Sequence, residues 1–547
     1  MPREAEHAEQ RAAVTATIQT LLLLLAVSVV VAVIAQRINI APSILLVTAG
    51  VLLALMPGLP SFELAPEVVL LVILPPLIYS AGVSMSWREF RFNLRPIFLL
   101  AFGCVVFTTC AVAAAMHYLL GWHWGIAFLL GAIVAPPDVV APLAIARRLG
   151  LPRRLIVVLE GEGLANDATA LILYRFAVAA VAAGTFSPAK AAGTFAAIVV
   201  GEIVWGIAVG WLALHLRQWA RNPRVEITLS LMTPYLAYWV PEHFGGSGVL
   251  ATVAAGLYVS WNGPLMISAS TRLQGIFFWD LFIYLIESLV FLVTGMQARA
   301  LIEKAQSFSI RELIVATAIT TAIVIAARFV WMFPAVYVPR WTSASVRQRD
   351  PAPPWQWPFF LAFTGVRGVV SLAAALAIPL FTNQLEPFPQ RDLILFVTFG
   401  VIVFTLVGQG LALPLVVRWL GLENDARAEQ QREREAELEA RASAMQSALQ
   451  RLDTIAAERQ LSGAVLEALR MRHEQRMRAL PAADDGSHEA ARLGTALRIE
   501  LIEAERQFLY QLLRDGKLTD EARRRIEREL DLEEEAIVRG GEDGARR

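Results

Sequence analysis

The sequence predicts an all-α membrane protein of about thirteen transmembrane helices, followed by a charged helical tail. Hydrophobic residues make up 56% of the 547 positions, whereas about 45–50% is typical of soluble domains. Charge is also divided unevenly, because residues 1–421 hold 46 of the Lys, Arg, Asp and Glu side chains and the much shorter stretch 422–547 holds 50. We therefore expect a transmembrane domain over residues 1–421 and a helical cytoplasmic domain over residues 422–547.

Long apolar runs recur throughout the first of these domains. Only helices and closed barrels can cross lipid, and most of the runs far exceed the roughly 10 residues of a barrel strand, so they predict a helical bundle. The shorter runs at 43–58, 225–240 and 246–260 leave half-spans or tilted pairs open. The predicted spans are 14–35, 43–58, 65–82, 96–117, 123–147, 154–183, 190–216, 225–240, 246–260, 276–298, 311–338, 357–380 and 392–418.

The direction of the spans follows from the basic residues in the loops, because cytoplasmic loops carry an excess of Lys and Arg. The loops after odd-numbered spans hold fifteen Lys and Arg residues, and the loops after even-numbered spans hold five. We therefore predict an N-terminus outside the cell and a C-terminal tail in the cytoplasm. The first residues mix both signs of charge, which is not typical of a cleaved signal peptide.

Charged side chains fall inside several predicted spans, where each costs roughly 2.5–3.5 kcal/mol on insertion scales. The acids are Asp138, Glu160, Glu162, Asp167, Glu202 and Glu287, and the arginines are Arg175, Arg328 and Arg367. A purely structural bundle would avoid this cost. We therefore expect some of the acids to be paired with arginines and others to be free to bind a proton or a cation.

Spans 5 and 12 are predicted to be interrupted near their centres. Span 5 reads GAIVAPPDVVAP, in which Pro136, Pro137 and Pro142 remove backbone donors beside Asp138. Span 12 reads FTGVRGVVSLAAALAIP, in which two glycines flank Arg367. The two spans occupy equivalent positions if spans 1–6 and 8–13 are repeats. Broken helices at matching positions indicate the midplane binding site of a transporter.

Span 6 reads LEGEGLANDATALILYRF and carries the strongest candidate for a binding carboxylate. Asp167 lies near mid-span with no basic neighbour in its own turn. Glu160 shares nearly one helix face with Asp167, and Glu162 shares a face with Asn166. A carboxylate sheltered from water holds a proton more readily, and hard cations prefer oxygen ligands. We predict that Asp167 holds either a proton or a metal cation, and that Glu162 pairs with Arg367.

Four motifs resemble those of the monovalent cation:proton antiporter-1 family, the sodium/proton exchangers of the bacterial NhaP and animal exchanger type. The motifs are LPPLIYSAG (74–82), APPDVVAP (135–142), EGEGLANDA (160–168) and GVRGVVSLAAALAIP (365–379). The resemblance covers the whole membrane domain. It implies inverted repeats with two crossed discontinuous helices, a homodimer in the bacterial plasma membrane, exchange of Na⁺ for H⁺ by alternating access, and no cofactor.

By position, the resemblance implies that Asp167 binds the transported Na⁺ and the proton. Asn166 is its implied partner, held by Asp138 across the crossed helices. Glu162 and Arg367 form the implied structural ion pair. The Asn–Asp pair resembles that of the electroneutral branch of the family, which implies one proton for each cation.

Three positions near this site depart from the family pattern. Ser80 stands where an acid is frequent, Pro137 where a threonine is frequent, and Gly163 where a serine is frequent. These changes remove up to three side-chain oxygens, and Glu287 offers an acid from another helix instead. The accessory positions are therefore Ser80, Pro137, Gly163, Glu287, Glu160 and Arg328, the last with a structural or pH-linked role. Na⁺ is the expected cation, with Li⁺ or a preference for K⁺ left open.

Other classes of protein fit the sequence less well. A cation channel would need a repeated filter segment, and an intramembrane enzyme would need a pattern such as HExxH, neither of which is present in the spans. A relative that senses ions without transporting them is a third alternative. Nucleic-acid binding is not predicted, because neither part of the sequence has an excess of basic residues on a soluble face. The tail alternates acids and arginines at helical spacing, which favours a regulatory or dimer-stabilising domain.

Overall fold

The computed structural model describes residues 22–38, 40–57, 65–183, 188–382, 386–459, 463–478 and 488–515, with Gln19 and short stretches beyond residue 522. The chain forms two compact units, residues 1–430 and 431–547. The described residues are helical apart from loops and one isolated bridge between Phe381 and Pro387, which confirms the predicted all-α class. The start of the first predicted span, residues 14–18, lies outside the described residues.

The first unit consists of helices joined mostly by short loops. They are α1 (Leu22–Ile38), α2 (Pro42–Leu55), α3 (Pro66–Ser84), α4 (Trp87–Phe92), α5 (Leu94–Leu120), α6 (Trp124–Val134), α7 (Val140–Arg148), α8 (Arg153–Ala183), α9 (Pro188–Ala220), α10 (Pro223–His243), α11 (Val249–Met266), α12 (Ala269–Met296), α13 (Ala298–Lys304), α14 (Ile310–Thr342), α15 (Ala344–Arg349), α16 (Gln356–Phe363), α17 (Val369–Leu376) and α18 (Arg391–Leu420).

Eight helical stretches among the described residues are long and apolar enough to cross a membrane. They are α3, α5, α8, α9, α11, α12 with its continuation to Ser307, α14 and α18. The helices α1, α2 and α6 are apolar but shorter, and the interrupted helices could cross only as pairs. The count of thirteen spans therefore stays a prediction.

The second unit holds most of the charged tail. Its helices are α19 (Leu422–Arg459), which begins in the first unit, α20 (Gly463–Arg478) and α21 (His488–Arg514). Arg470 Nη2 on α20 donates to Asp453 Oδ1 on α19 at 2.6 Å. Ile502, Leu509 and Leu530 form a small buried cluster. The domain boundary predicted at residue 421 coincides with the start of α19, and it stays a prediction.

Polar side chains cap several of the membrane helices at their first turns. Asn222 Oδ1 accepts from the Arg224 amide at 3.0 Å at the start of α10. Ser309 Oγ accepts from the Glu312 amide at 3.2 Å at the start of α14. Each bond satisfies one of the amides that lack an intrahelical acceptor. These caps indicate why the helices begin where the apolar runs of the sequence begin.

Glycines let three pairs of helices approach to backbone contact. A Cβ added at Gly50 of α2 would overlap the Leu292 carbonyl of α12, and one at Gly295 of α12 would overlap the Val47 carbonyl of α2. Gly206 of α9 lies in the same way against α11, and Gly82 of α3 approaches α11 as well. In lipid, helices associate without a hydrophobic driving force, and the close approach at small residues provides van der Waals packing instead.

The two predicted interruptions are present and lie against each other. Helix α6 ends at Val134 and α7 begins at Val140, while α16 ends at Phe363 and α17 begins at Val369. The Asp138 amide in the first unwound segment donates to the Val366 carbonyl in the second at 2.6 Å. The prediction of two crossed discontinuous helices is therefore confirmed, and the crossing positions the site described next.

Candidate ion-binding site

A cavity of about 460 Å³ lies beside the crossing. Helices α3 and α12 form one side of it. Helices α7, α8 and α17 and the unwound segment before α7 form the other side. Its polar lining consists of Ser80, Ser84, Asp138, Arg147, Glu160, Asp167, Asp280, Tyr284, Glu287 and Ser371. Five of these side chains are acidic and one is basic. A cleft lined by one sign of charge concentrates ions of the opposite sign, so the cavity favours cations.

Asp167 lines this cavity without a partner, as Asp280 and Glu287 do, and of these three acids it is the one that follows Asn166 at the crossing. It lies on α8, half-buried, and it forms no hydrogen bond or ion pair with any residue of the described ranges. The next residue toward the N-terminus, Asn166, is fully buried. An acid without a partner inside a membrane bundle is expected to serve a functional purpose rather than a structural one.

Asn166 connects α8 to the first interruption. Its Nδ2 donates to the Pro137 carbonyl at 2.7 Å, and its buried Oδ1 has no partner in the part of the chain that the structure describes. This corrects the implied bond between Asn166 and Asp138. The amide reaches the Pro137 carbonyl instead because the interruption leaves that carbonyl without a helical N–H donor.

Asp138 stabilises the crossing itself. Its Oδ1 accepts from the Val140 amide at 2.9 Å, at the first turn of α7. A Cβ added at Gly368 would overlap Asp138 Oδ2, so the absence of a side chain at Gly368 lets the carboxylate fit between the two unwound segments. Asp138 also lines the cavity, and it is thus placed both to hold the backbone and to contribute an oxygen.

The structure brings most of the accessory positions to the cavity. Ser80, Pro137, Gly163, Glu160 and Glu287 all line it, whereas Arg328 does not. A Cβ added at Gly163 would overlap Val139 Cγ2. The glycine that departs from the family pattern therefore makes room for a valine of the unwound segment.

Glu160 is paired with a basic residue that also lines the cavity. Its Oε1 accepts from Arg147 Nη2 at 2.6 Å, and the Arg147 side chain is 57% exposed whereas that of Glu160 is 13% exposed. The sequence did not lead us to predict Arg147 or Asp280 as residues of this site. The seven-residue spacing of Asp280 and Glu287 is a signal for Asp280, because it places both acids on one face of α12.

Glu162 pairs with Arg328 rather than with Arg367. Arg328 donates through Nη1 at 2.5 Å and Nη2 at 2.8 Å to the two oxygens of Glu162, and its Nε donates to the Leu361 carbonyl at 2.9 Å. Both side chains are almost completely buried. This corrects the predicted pair, because a two-pronged guanidinium on the continuous helix α14 already engages both carboxylate oxygens.

Arg367 is also buried, at 1% exposure. Its amide donates to Thr405 Oγ1 of α18 at 3.0 Å, but its Nε and Nη1 meet no acceptor in the described segments. Two further charges within the spans are compensated. Glu202 accepts the amides of Ser247, Gly248 and Leu250 at 2.6–3.1 Å, and Arg175 pairs with Glu242.

An unpaired acid beside two crossed, interrupted helices defines a secondary transporter of small cations. Residues 23–419 match the family described as sodium/hydrogen exchanger, transmembrane, and the chain belongs to this family. The resemblance of the four motifs to the monovalent cation:proton antiporter-1 family is therefore confirmed. The protein is a multi-pass membrane antiporter.

Several relatives resemble nearly the whole chain. A protein of Mycobacterium bovis, named as an uncharacterized Na⁺/H⁺ exchanger, is 34% identical over 94% of this chain and 95% of its own length. The Na⁺/H⁺ antiporter ApNhaP of Aphanothece halophytica is 32% identical over 83% of this chain and 84% of its own. Because these matches extend past residue 421, they include part of the charged tail as well as the membrane domain.

Two further proteins are similar to a smaller part of the chain. A Bacillus pumilus protein named as a sodium, potassium, lithium and rubidium/H⁺ antiporter is 32% identical over 67% of this chain and 56% of its own. The solved structure of the sodium proton antiporter MjNhaP1 from Methanocaldococcus jannaschii covers 75% of this chain and 99% of its own, with a TM-score of 0.58 and 18% identity. At that identity the likeness shows the fold alone.

Proposed function

We propose that the protein exchanges Na⁺ for H⁺ across the plasma membrane of a bacterium, and that Asp167 holds either the cation or the proton. The observation that carries this proposal is that Asp167 lacks a protein partner while it lines a cavity with an excess of acids. A carboxylate in such a place needs a positive partner, and in an antiporter the two substrates supply it in turn.

The surroundings of Asp167 supply further oxygens for a cation. The hydroxyl groups of Ser80 and Ser371 and the carboxylates of Asp138 and Glu287 line the same cavity. Such groups can bind an alkali cation, since hard cations take carboxylate, hydroxyl and carbonyl oxygens. The carboxylates can also bind a proton. Selectivity among Na⁺, Li⁺ and K⁺ then depends on how closely α3 and α12 approach α8 when the ion is bound.

The crossing explains how one site could face each side of the membrane in turn. The interrupted helices are joined to each other by the Asp138–Val366 bond and to α8 by the Asn166–Pro137 bond. A movement of this group against α3 and α12 would carry Asp167 with it and would close one entrance as it opens the other. We propose alternating access of this kind, within a homodimer whose N-terminus is outside and whose tail is cytoplasmic.

The test is counter-transport in proteoliposomes that contain the full chain and a fluorescent pH indicator. Addition of Na⁺, Li⁺ or K⁺ outside vesicles that are acidic inside should release protons from the wild-type vesicles. The Asp167→Asn variant should show no cation-dependent release, because an amide can neither carry the proton nor neutralise the cation. Release at the wild-type rate by this variant would refute the proposal.

Asp280→Asn is the matched control. Asp280 lines the same cavity, but its side chain is more exposed than that of Asp167, so its loss should weaken the attraction of cations without removing the binding group. We expect a higher cation concentration for half-maximal rate and an unchanged maximal rate. If both variants lost transport equally, the special role of Asp167 would be contradicted.

A further inference from the structure

Three arginines from three different helices converge on a single carboxylate, and none of these four residues lines the cavity described above. Arg154 of α8 donates from Nη2 to Asp350 Oδ1 at 2.7 Å, and Arg340 of α14 donates from Nη2 to Oδ2 at 2.7 Å. Arg95 of α5 also donates to Oδ2. We call these four residues the arginine cluster. Asp350 itself belongs to the loop that follows α15.

The arginine cluster carries more positive than negative charge. Asp350 is the acid that these three guanidinium groups share, and the neighbouring Arg153 is already paired with Glu89 at 2.8 Å. The Arg340 side chain is only 6% exposed, and those of Arg95 and Arg154 are 31% and 27% exposed. Partly buried cations in excess of anions favour the binding of a further anion, because the low dielectric strengthens the attraction.

A small cavity of about 50 Å³ lies among the same helices. The three arginines form its polar part, and its apolar part is lined by Leu99, Leu155, Val158, Met332, Trp357 and Leu361, among others. This volume holds a group of a few atoms, since a single water needs about 10–15 Å³ by the same kind of measure. The cavity can therefore accept the oxygens of a compact anion but not a long chain.

The position along the helices indicates where this anion comes from. The cluster lies at the start of α5 and α8 and near the end of α14, which is the end of the bundle that we predict to face the cytoplasm. Leu94 and Phe98, on the same turns of α5 as Arg95, are 50% and 59% exposed. Apolar side chains exposed at this level contact lipid in a membrane protein.

We propose that the arginine cluster binds the phosphate head group of an anionic membrane lipid. Guanidinium groups match phosphate oxygens in two-pronged geometry, and basic pockets between membrane helices on the cytoplasmic side bind anionic head groups. The phosphate lies in the small cavity against the arginines, and the acyl chains lie along the exposed surface of α5. Free phosphate would have the same polar contacts but would gain nothing from the apolar surface.

The bound lipid would act on the helices that carry the transport site. Helix α8 contributes Asp167 and Glu162, and α14 contributes Arg328. A phosphate shared by arginines of α5, α8 and α14 ties these helices together at one end. The lipid is therefore expected to raise the thermal stability of the protein, independently of which cation is transported.

The test is native mass spectrometry of the full chain in detergent, titrated separately with phosphatidylglycerol and with phosphatidylcholine. The wild type should retain phosphatidylglycerol more tightly than phosphatidylcholine. Arg95→Gln and Arg154→Gln should each weaken retention of phosphatidylglycerol about fivefold, since one basic residue near a membrane surface contributes about 1 kcal/mol. Arg349→Gln, at an exposed arginine outside this cavity, is the matched control and should have no effect.

Asp350→Asn distinguishes a lipid site from a purely structural clamp. If the cluster binds phosphate, loss of the competing carboxylate should strengthen retention of phosphatidylglycerol. A clamp would instead lose stability in this variant with no gain in lipid binding, and that result would overturn the proposal. Inorganic phosphate added in millimolar excess should not displace the lipid. Displacement would assign the site to free phosphate.

Discussion

Glu162 and Glu202 show two ways in which this protein compensates a buried carboxylate. Glu162 is matched by the fork of Arg328, and Glu202 accepts amides at the start of α11. Both arrangements engage the carboxylate oxygens, so neither acid is free to exchange ions. Asp167 differs from them at the level of the single residue, because the described structure offers it neither an arginine nor an amide.

The two buried arginines should differ in their effect on stability. Arg328→Gln leaves Glu162 as an uncompensated buried charge, which costs about 3–5 kcal/mol. Arg367→Gln removes a guanidinium with two unpaired N–H groups, and it should cost much less or should stabilise the protein. Thermal unfolding of both variants in detergent measures the difference. An equal loss of stability would show that Arg367 shares the pairing of Glu162.

Asp350 predicts a pH dependence of stability. Burial raises the pKa of its carboxyl group, but hydrogen bonds and charges from Arg154 and Arg340 outweigh burial, and the pKa lies below its ordinary value of 3.8. A lowered pKa in the folded state stabilises the protein above the ordinary value, and this contribution is lost as the pH falls through the lowered one. The difference in Tm between wild type and Asp350→Asn should therefore be constant from neutral pH to about pH 4 and should shrink in more acid solution. A difference that grew with acidity would contradict the assignment.

At the scale of the elements, the function of this protein depends on helices that are incomplete. The breaks at α6–α7 and α16–α17 leave backbone groups without the hydrogen bonds of a continuous helix. The side chains of Asp138, Asn166 and Thr405 form hydrogen bonds with such groups. Irregular backbone is tolerated at membrane depth where it lines a cavity or is buried in protein. The crossing satisfies both conditions.

Gly368→Ala tests the crossing. The added Cβ would overlap Asp138 Oδ2, so the two unwound segments should be forced apart at a cost of about 1–3 kcal/mol. We expect a lower Tm and a loss of cation-dependent proton release in proteoliposomes. Gly408→Ala, in α18 with no atom within 4 Å of the new Cβ, is the control and should behave as wild type. Wild-type transport by Gly368→Ala would mean that the crossing is not tightly packed.

Much of the fold follows from the sequence because its signals are local. Pro136 and Pro137 break span 5 wherever the chain is placed, and the isolation of Asp167 is already visible in its own turn of helix. The choice of Arg328 over Arg367 is not local. Both arginines lie in spans of suitable depth, and only the packing of α8 against α14 decides which of them reaches Glu162. The arginine cluster was missed for the same reason, since its members lie as far apart as residues 95 and 350.

At the scale of the whole molecule, the proposed cycle moves a neutral site in both directions. Asp167 carries one negative charge, which either one Na⁺ or one proton cancels. An imposed membrane potential of either sign should therefore leave the rate of exchange in proteoliposomes unchanged. A rate that varied with voltage would indicate unequal numbers of protons and cations, and a second carboxylate such as Glu287 would then have to titrate.

The glycine contacts described above restrict which parts of the molecule can slide. Helices α2 and α12 touch backbone to backbone, as do α9 and α11, and surfaces that interlock at this distance cannot shift without separating. The water-accessible space instead lies between α3 and α12 and the group formed by α7, α8 and α17. We therefore expect the relative movement to occur across that space. The ion would move with α7, α8 and α17, while the helices in close glycine contact stay fixed.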